Sequence, residues 1–308
     1  MKVIAVAGGT GHVGRTIVET LAQSPLFKVI VLGRKPSAGN PGEPVHVVVD
    51  YNNAAAMTTA LEQHNVHTVI SAIQVASEEA STAEVNLIKA ADQSPSVKRF
   101  IMSGWGSLPS EMSPTSAFQK ASHEALRKTD LEWTRFAVGH FLDSYGLTSL
   151  KTHLPPLSFA IDVANKKAAI PGTGNEPIAF TYSYDVAKFV AAFLEEPKWD
   201  ELTFCYGEKT TLNEFLKVAE EVTGSSFDVT YDPLEKLQRG ETTELPAQQA
   251  ELALSPFPKA FARQLLALLG IWCVTGQYDI PHDGSLNAKY PHIKPVTIRE
   301  ALQDRQGR

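Results

Sequence analysis

The chain has 308 residues, 43% of them hydrophobic, and carries a net charge of −6. That length holds two average domains, or one nucleotide-binding domain with a substrate lobe attached, and the acidic balance leaves no basic footprint for nucleic acid. Two cysteines, Cys205 and Cys273, are too few for a disulfide framework or a thiolate metal cluster.

The opening Met-Lys-Val-Ile enters an apolar run directly, with no secretory pattern, so a reducing, cytoplasmic setting is expected and no metal. Lys2 to Ala7 reads as a strand covered on both faces. After it, Gly8, Gly9, Gly11 and Gly14 space a tight turn. Val13, Ile17 and Leu21 recur every fourth residue on a helix that ends near Ser24-Pro25. A strand, a glycine turn and the start of a helix form a place for a dinucleotide pyrophosphate, with Gly8, Thr10, Gly11, His12, Val13 and Gly14 around it.

Further strands are predicted at Lys28 to Leu32, Val45 to Val49, His67 to Ile73, Val97 to Met102 and Glu132 to Val138. Helices are predicted around Ala54 to His64, Glu78 to Ala91 and Thr115 to Lys128. Strands separated by helices imply an α/β fold, a Rossmann-type doubly wound parallel sheet whose ligands lie beyond the carboxyl ends of the strands. That rule selects Arg34 and Lys35, Asp50, Ser71, Ala72, Ile73 and Gln74, Ser103 and Gly104, and Val138 and Gly139 for the cofactor. Trp105, His140, Phe141 and Tyr145 then fall on the substrate side. Arg34, where a carboxylate would bind the ribose hydroxyls of NAD, suits the 2'-phosphate of NADP; a solvated basic turn and stacking on adenine are the alternatives.

From Leu147 the pattern loosens. Ile178 to Tyr182 and a helix at Asp185 to Glu195 read as a return to the main fold, followed by a strand at Leu202 to Tyr206 and a helix at Thr211 to Val222. The division expected is a nucleotide-binding domain of 1–150 plus 178–206 and a substrate lobe of 151–177 plus 207–308. Leu265 to Val274, the most apolar run, is far shorter than the ~20 residues of a membrane span and reads as a buried helix or a cavity wall. Tyr182 is a further candidate for the cleft.

Lys120 sits on a helix that has Ser113, Thr115 and Ser116 available for its first turn. It suits binding of nicotinamide-ribose hydroxyls and relay of a proton, while a solvated lysine paired with Glu124 is the plain alternative. His140 is read either as a proton donor or as a packed, hydrogen-bonded histidine.

The runs Val-Ala-Gly-Gly-Thr-Gly-His-Val-Gly14, Leu32-Gly-Arg-Lys35, Val97-Lys-Arg-Phe-Ile-Met-Ser-Gly104 and Phe118-Gln-Lys-Ala121 resemble the isoflavone reductase-like, NmrA-type branch of the atypical short-chain dehydrogenase/reductases. So do Trp133 to Phe141, Ile170 to Asn175 and Tyr290 to Leu302. The resemblance implies that Lys120 is the active-site lysine, while the preference for NADPH over NAD rests on Arg34 with Lys35 beside it. Two departures stand out. Ser116 occupies the place, four residues before Lys120, where classical short-chain reductases carry tyrosine, and Trp105 lies in a segment unlike that of the plant reductases.

The function expected is an NADPH-dependent reductase of a small cyclic or aromatic metabolite in specialised metabolism, acting on C=O, conjugated C=C or C=N, as a monomer or homodimer. Its partner would be a small-molecule substrate, with neither nucleic acid nor membrane involved. A non-catalytic NmrA-like sensor of NAD(P) is the alternative.

Overall fold

The computed structural model describes residues 1–36, 42–111, 116–147, 149–253 and 259–303. Its first part alternates strand and helix: β1 (Lys2–Ala7), α1 (His12–Ala22), β2 (Phe27–Gly33), β3 (Val45–Val48), α2 (Ala54–Gln63), β4 (Thr68–Ser71), α3 (Glu78–Gln93), β5 (Arg99–Gly106), α4 (Ser116–Leu126) and β6 (Glu132–Ala137). Next come β7 (His140–Phe141), a short 3-10 turn (Leu142–Tyr145), β8 (Ile161–Asp162), β9 (Lys167–Pro171), β10 (Ile178–Thr181), α5 (Ser183–Phe193) and β11 (Leu202–Phe204). The chain closes with β12 (Glu208–Thr210), α6 (Leu212–Thr223), β13 (Asp228–Asp232), α7 (Leu234–Gln238), α8 (Pro246–Ala253), α9 (Lys259–Val274), α10 (Leu286–Lys289) and α11 (Ile298–Gln303).

Seven strands form one sheet in the order β11-β6-β5-β4-β1-β2-β3, and each adjacent pair runs parallel. β1 shows why its residues are apolar without interruption. Ile4 and Val6 face α1 and α5 and pack with Ile17, Leu21, Val186 and Phe189. Ala5 and Ala7 face the other way, into a layer with Met57 and Leu61 of α2 and Leu87 and Ile88 of α3. The order in which strands are added reverses between β1 and β4, the crevice where a doubly wound sheet binds its ligand.

Two small sheets, β12-β10-β7 and β13-β9-β8, build the other lobe. Here the sequence expectation needs correction. The helix α5 and the strand β11 do return to the main body, but β10 pairs with β7 and β12 instead, and its Ile178 and Phe180 belong to the second lobe's core with Tyr145, Phe159 and Phe215. Ser113 and Thr115, expected in the first turn of this helix, lie outside the described residues. No helix among the described residues is long and apolar enough to cross a membrane.

Candidate active site

Side chains cap the N-termini of α2, α3 and α6, where Asn53, Ser77 and Thr211 accept backbone N–H groups. At α1 the capping residue is Gly11 and no side chain serves. The first amides of that helix and its positive dipole end are thus left for an anion. The turn leading there is closed by Gly11 N–H donating to the Gly8 carbonyl at 3.0 Å. A Cβ on Gly14 would run into that same carbonyl, whereas a Cβ on Gly11 would have its nearest neighbour at 3.7 Å. Gly14 therefore serves packing, and Gly11 keeps an open face on which a pyrophosphate fits. Arg34 stands beyond β2 with its side chain 78% exposed, 4.0 Å from an equally exposed Glu79, so no strong ion pair restrains it. Tyr51 fills the space between: its hydroxyl donates to the Leu32 carbonyl at 3.1 Å. Burial pushes the phenol up to about 12 despite the nearby Arg34 charge.

From this turn a cavity of about 460 Å³ runs into the second lobe. His12, Val13 and residues 72–76 line the end beside the glycine turn, and the β5 end from Ser103 to Ser107 lines its middle. Leu154, Pro155 and Leu157 on one side, and Leu265, Leu268, Leu269 and Trp272 of α9 on the other, close the far end. The expected apolar run at Leu265 to Val274 is thus a cavity wall. Trp105 is fixed at the β5 end. Its indole N–H donates to the Ser71 carbonyl at 3.1 Å, and its ring stacks on Phe136 at 5.3 Å.

Two buried ionisable side chains shape this middle section. Arg135 of β6 donates from Nε to the Gly104 carbonyl at 3.2 Å and from Nη2 to the Ser107 carbonyl at 3.1 Å. It thereby holds the bulge where the β5–β6 register shifts between Met102 and Gly106, and burial brings its guanidinium down to about 10. Glu84 of α3 accepts from Ser103 N–H at 2.8 Å and from the Ser122 hydroxyl at 2.7 Å. Its carboxyl lies above its ordinary range because burial outweighs those bonds.

His140 lies on the cavity wall, 6% exposed, with the rings of Tyr145, Phe159, Phe180 and Tyr278 at 5.2–6.1 Å. Burial pushes its imidazole down to about 4, so it is neutral near pH 7. Its Nε2 is buried with no hydrogen-bond partner.

The residues named from sequence divide into three sets. His12, Val13, Ala72, Ile73, Gln74, Ser103, Gly104, Trp105, Gly139, His140 and Phe141 line the cavity. Gly8, Thr10, Gly11, Gly14, Arg34, Lys35 and Asp50 lie along the turn and strand ends beside it, although Asp50 is already engaged by Asn52 N–H at 2.9 Å. The rest do not line it. Ser71 and Val138 are fully buried, and each contributes a backbone carbonyl to a neighbour, Trp105 and Thr181 respectively. Tyr145 stands behind His140 in the lobe's core. The Tyr182 hydroxyl is committed to the Lys151 carbonyl at 2.6 Å. Ser116 opens α4 away from the wall. Lys120 is 77% exposed and 4.0 Å from Glu124, the solvated arrangement weighed from the sequence; its neighbour Gln119 lines the cavity instead. Gln119 and Arg135 stand in runs that carry the family resemblance, and Trp272 in the apolar run read as a buried helix or cavity wall, yet none of the three was singled out as a site residue; Tyr278 falls in no motif, and the burial of Glu84 is marked by no local pattern.

Comparison with known proteins accords with this geometry. Residues 8–159 match a family model described as NAD(P)H-binding. The chain is 31% identical to oxidoreductase BOA1 of Botryotinia fuckeliana, covering 98% of each chain. It is 33% identical to oxidoreductase swnN of Metarhizium robertsii, covering 97% of this chain and 96% of that one. Among solved structures, AtPrR2 with NADP+ and (+)pinoresinol superposes with a TM-score of 0.75 at 20% identity, covering 98% of both chains. Leucoanthocyanidin reductase from Vitis vinifera with NADPH gives 0.74 at 18% identity, covering 99% of this chain and 100% of that one.

Proposed function

The chain belongs to the isoflavone reductase-like family of NAD(P)H-dependent oxidoreductases, and from that premise we propose that it is an NADPH-dependent reductase of a small cyclic or aromatic metabolite in specialised metabolism. The reducible bond is C=O, conjugated C=C or C=N. Family membership sets the non-catalytic sensor aside. The observation that carries the proposal is the continuity of one cavity from His12 and Val13, beside the uncapped start of α1, to the apolar wall of α9.

The cofactor, when bound, supplies a hydride; the work of the chain is to place both reactants. In this reading the free amides of α1 and the open face of Gly11 hold the pyrophosphate, and Arg34 pairs with the 2'-phosphate. Gln74 borders the cleft at the end beside the glycine turn, and Ser103 and Gln119 line it further in. Lys120 reaches back over the rim to the ribose hydroxyls, since the 4.0 Å contact with Glu124 is too loose to restrain it. Leu154, Pro155 and Leu157 shield the far end from water, which strengthens every polar contact inside. We assign the chain to act as a monomer or homodimer, in the cytoplasm.

The test is NADPH consumption with matched ketones, enones and cyclic imines, for the parent and for Lys120→Ala. One bond class should support turnover, and the variant should lose ~10²-fold or more in kcat/KM, the low end for a group that moves a proton. Tight NADPH binding with no turnover on any class would sink the reductase reading. An unchanged kcat/KM in Lys120→Ala would return that lysine to the solvated surface.

A further inference from the structure

A buried arginine without a counter-ion stands in the wall of the cavity, and what it implies about the substrate rests on the reductase reading above. Among the described residues that line the cavity there is no Asp, Glu or Lys, and the only guanidinium is that of Arg135. Arg135 is 4% exposed. Arginine is rarely covered to this degree unless a carboxylate pairs with it, because a charge taken out of water needs a partner of opposite sign. Here burial lowers the guanidinium and no carboxylate raises it again.

The carbonyls of Gly104 and Ser107 take the Nε and Nη2 protons, but they leave the charge itself uncompensated. Nη1 donates to no atom of the described residues. Yet it is not among the fully covered polar atoms left without a partner, as His140 Nε2 and Trp272 Nε1 are. That corner of the guanidinium is open to a ligand. The local sequence makes room for it: at Gly104, with φ of +154°, a Cβ would stand 2.5 Å from Arg135 Nε, so any side chain there would displace the guanidinium. A second donor comes from α4. Burial and, after it, the Arg135 charge hold the His123 imidazole below its ordinary value, which places this stretch of α4 within the arginine's field. Gln119, one turn before His123 on the same helix face, lines the cavity and carries a neutral amide that can donate.

We propose that Arg135 Nη1 is the receptor for a carboxylate on the substrate, so that the enzyme reduces small organic acids whose apolar body lies against Leu265, Leu268 and Trp272 of α9. The carboxylate supplies the counter-charge that the fold withholds. A neutral analogue leaves the guanidinium uncompensated, and a cationic one meets a like charge.

The test is calorimetric binding of 1-naphthoate and 1-naphthamide to the full chain loaded with NADPH at pH 7. The two probes share one shape, differ in charge and hold no bond that NADPH reduces. Naphthoate should bind about tenfold or more tighter than the amide, the worth of a hydrogen bond to a charged group. Arg135→Gln should weaken naphthoate by ~10- to 100-fold and leave the amide within about threefold, whereas an arginine that only holds the bulge of β5 would move both probes together. Arg135→Lys, which keeps the charge without the planar fork, should recover part of the margin. Naphthoate that binds the parent no better than the amide, or not at all, overturns the proposal whether or not the variants fold. So does an Arg135→Gln variant that loses NADPH affinity while the ratio of the probes is preserved, since the guanidinium would then serve the cofactor's phosphates. Failure of NADPH to bind the parent would count against the reductase reading itself, and the same ratio of probes on the unloaded chain would still decide the role of Arg135.

Discussion

Arg34 decides the choice of cofactor in this reading, and it does so from an exposed position with a partner at the 4.0 Å limit. Replacing it with alanine removes charge-assisted bonds to a phosphate but nothing that NADH requires. Arg34→Ala should therefore lower the NADPH over NADH preference in kcat/KM by ~10- to 100-fold, with thermal stability unchanged. An unaltered ratio, measured with both coenzymes on one substrate, would show that the arginine is a solvated turn. The residue could be singled out because its signal is local: it follows an apolar strand by one glycine, at the place where a doubly wound fold meets the ribose. The glycine turn was legible for the same reason. His140 was found by its position after β6, although the reading left open whether it was packed or reactive; its unpartnered Nε2 is a three-dimensional fact. Trp272 lies in the apolar run read as a buried helix or cavity wall and Gln119 in a run that carries the family resemblance, but a tryptophan in an apolar helix and a glutamine beside a lysine carry no local sign that they are the residues facing a cavity.

At the scale of elements, the open question is what holds β5 and α4 at a fixed separation, since both border the cleft. Glu84 answers from α3, with one carboxylate oxygen on Ser103 N–H and the other on the Ser122 hydroxyl, three residues after Gln119. Glu84→Ala would strand both donors beside a void, at a cost of ~2–4 kcal/mol. Glu84→Gln keeps an acceptor for Ser103 N–H and offers an N–H to Ser122. The folded protein holds this carboxyl above its ordinary range, so ionisation works against folding. Its contribution is greatest at acid pH and falls as pH rises from the ordinary carboxylate value through the raised one. Thermal melts across that interval should show the decline in the parent and its absence in Glu84→Gln, whose stability near pH 7 should match or exceed the parent. A glutamine variant as unstable as the alanine one would mean that the charge itself holds the helices. The elements themselves were readable where strand and helix alternate, through β6. The error at β10 has a physical origin: a run of four fully covered residues, three of them apolar, looks alike in either sheet, and only pairing with β7 and β12 tells them apart.

At the scale of the whole molecule, one carboxylate outside both the glycine turn and the cavity ties α1 to the chain that follows Leu147 and to α5. Glu19 of α1 gathers Lys151 Nζ at 2.6 Å, His153 Nε2 at 2.9 Å and the Tyr184 hydroxyl, with Arg15 Nε at 3.2 Å. Lys151 and His153 begin the strap whose next residues, Leu154, Pro155 and Leu157, cover the cavity. The strap is thus fastened to the same helix whose uncapped start is proposed to hold the cofactor. Burial alone would raise the Glu19 carboxyl, but the bonds from Lys151 and Tyr184 and the nearby His153 bring it down to about 2. With a depressed value, the stability this carboxylate adds is complete above the ordinary carboxylate range and is lost as pH falls toward about 2. Glu19→Gln should accordingly flatten the acid limb of stability between those limits. It should also free the strap at neutral pH, raising substrate KM by ~3- to 10-fold, the worth of about one hydrogen bond, with NADPH affinity within twofold of the parent because the amides of α1 are untouched. Limited proteolysis within 149–157 would report the loosened strap directly. If NADPH affinity fell and substrate KM did not, the carboxylate would be acting on the helix rather than on the strap.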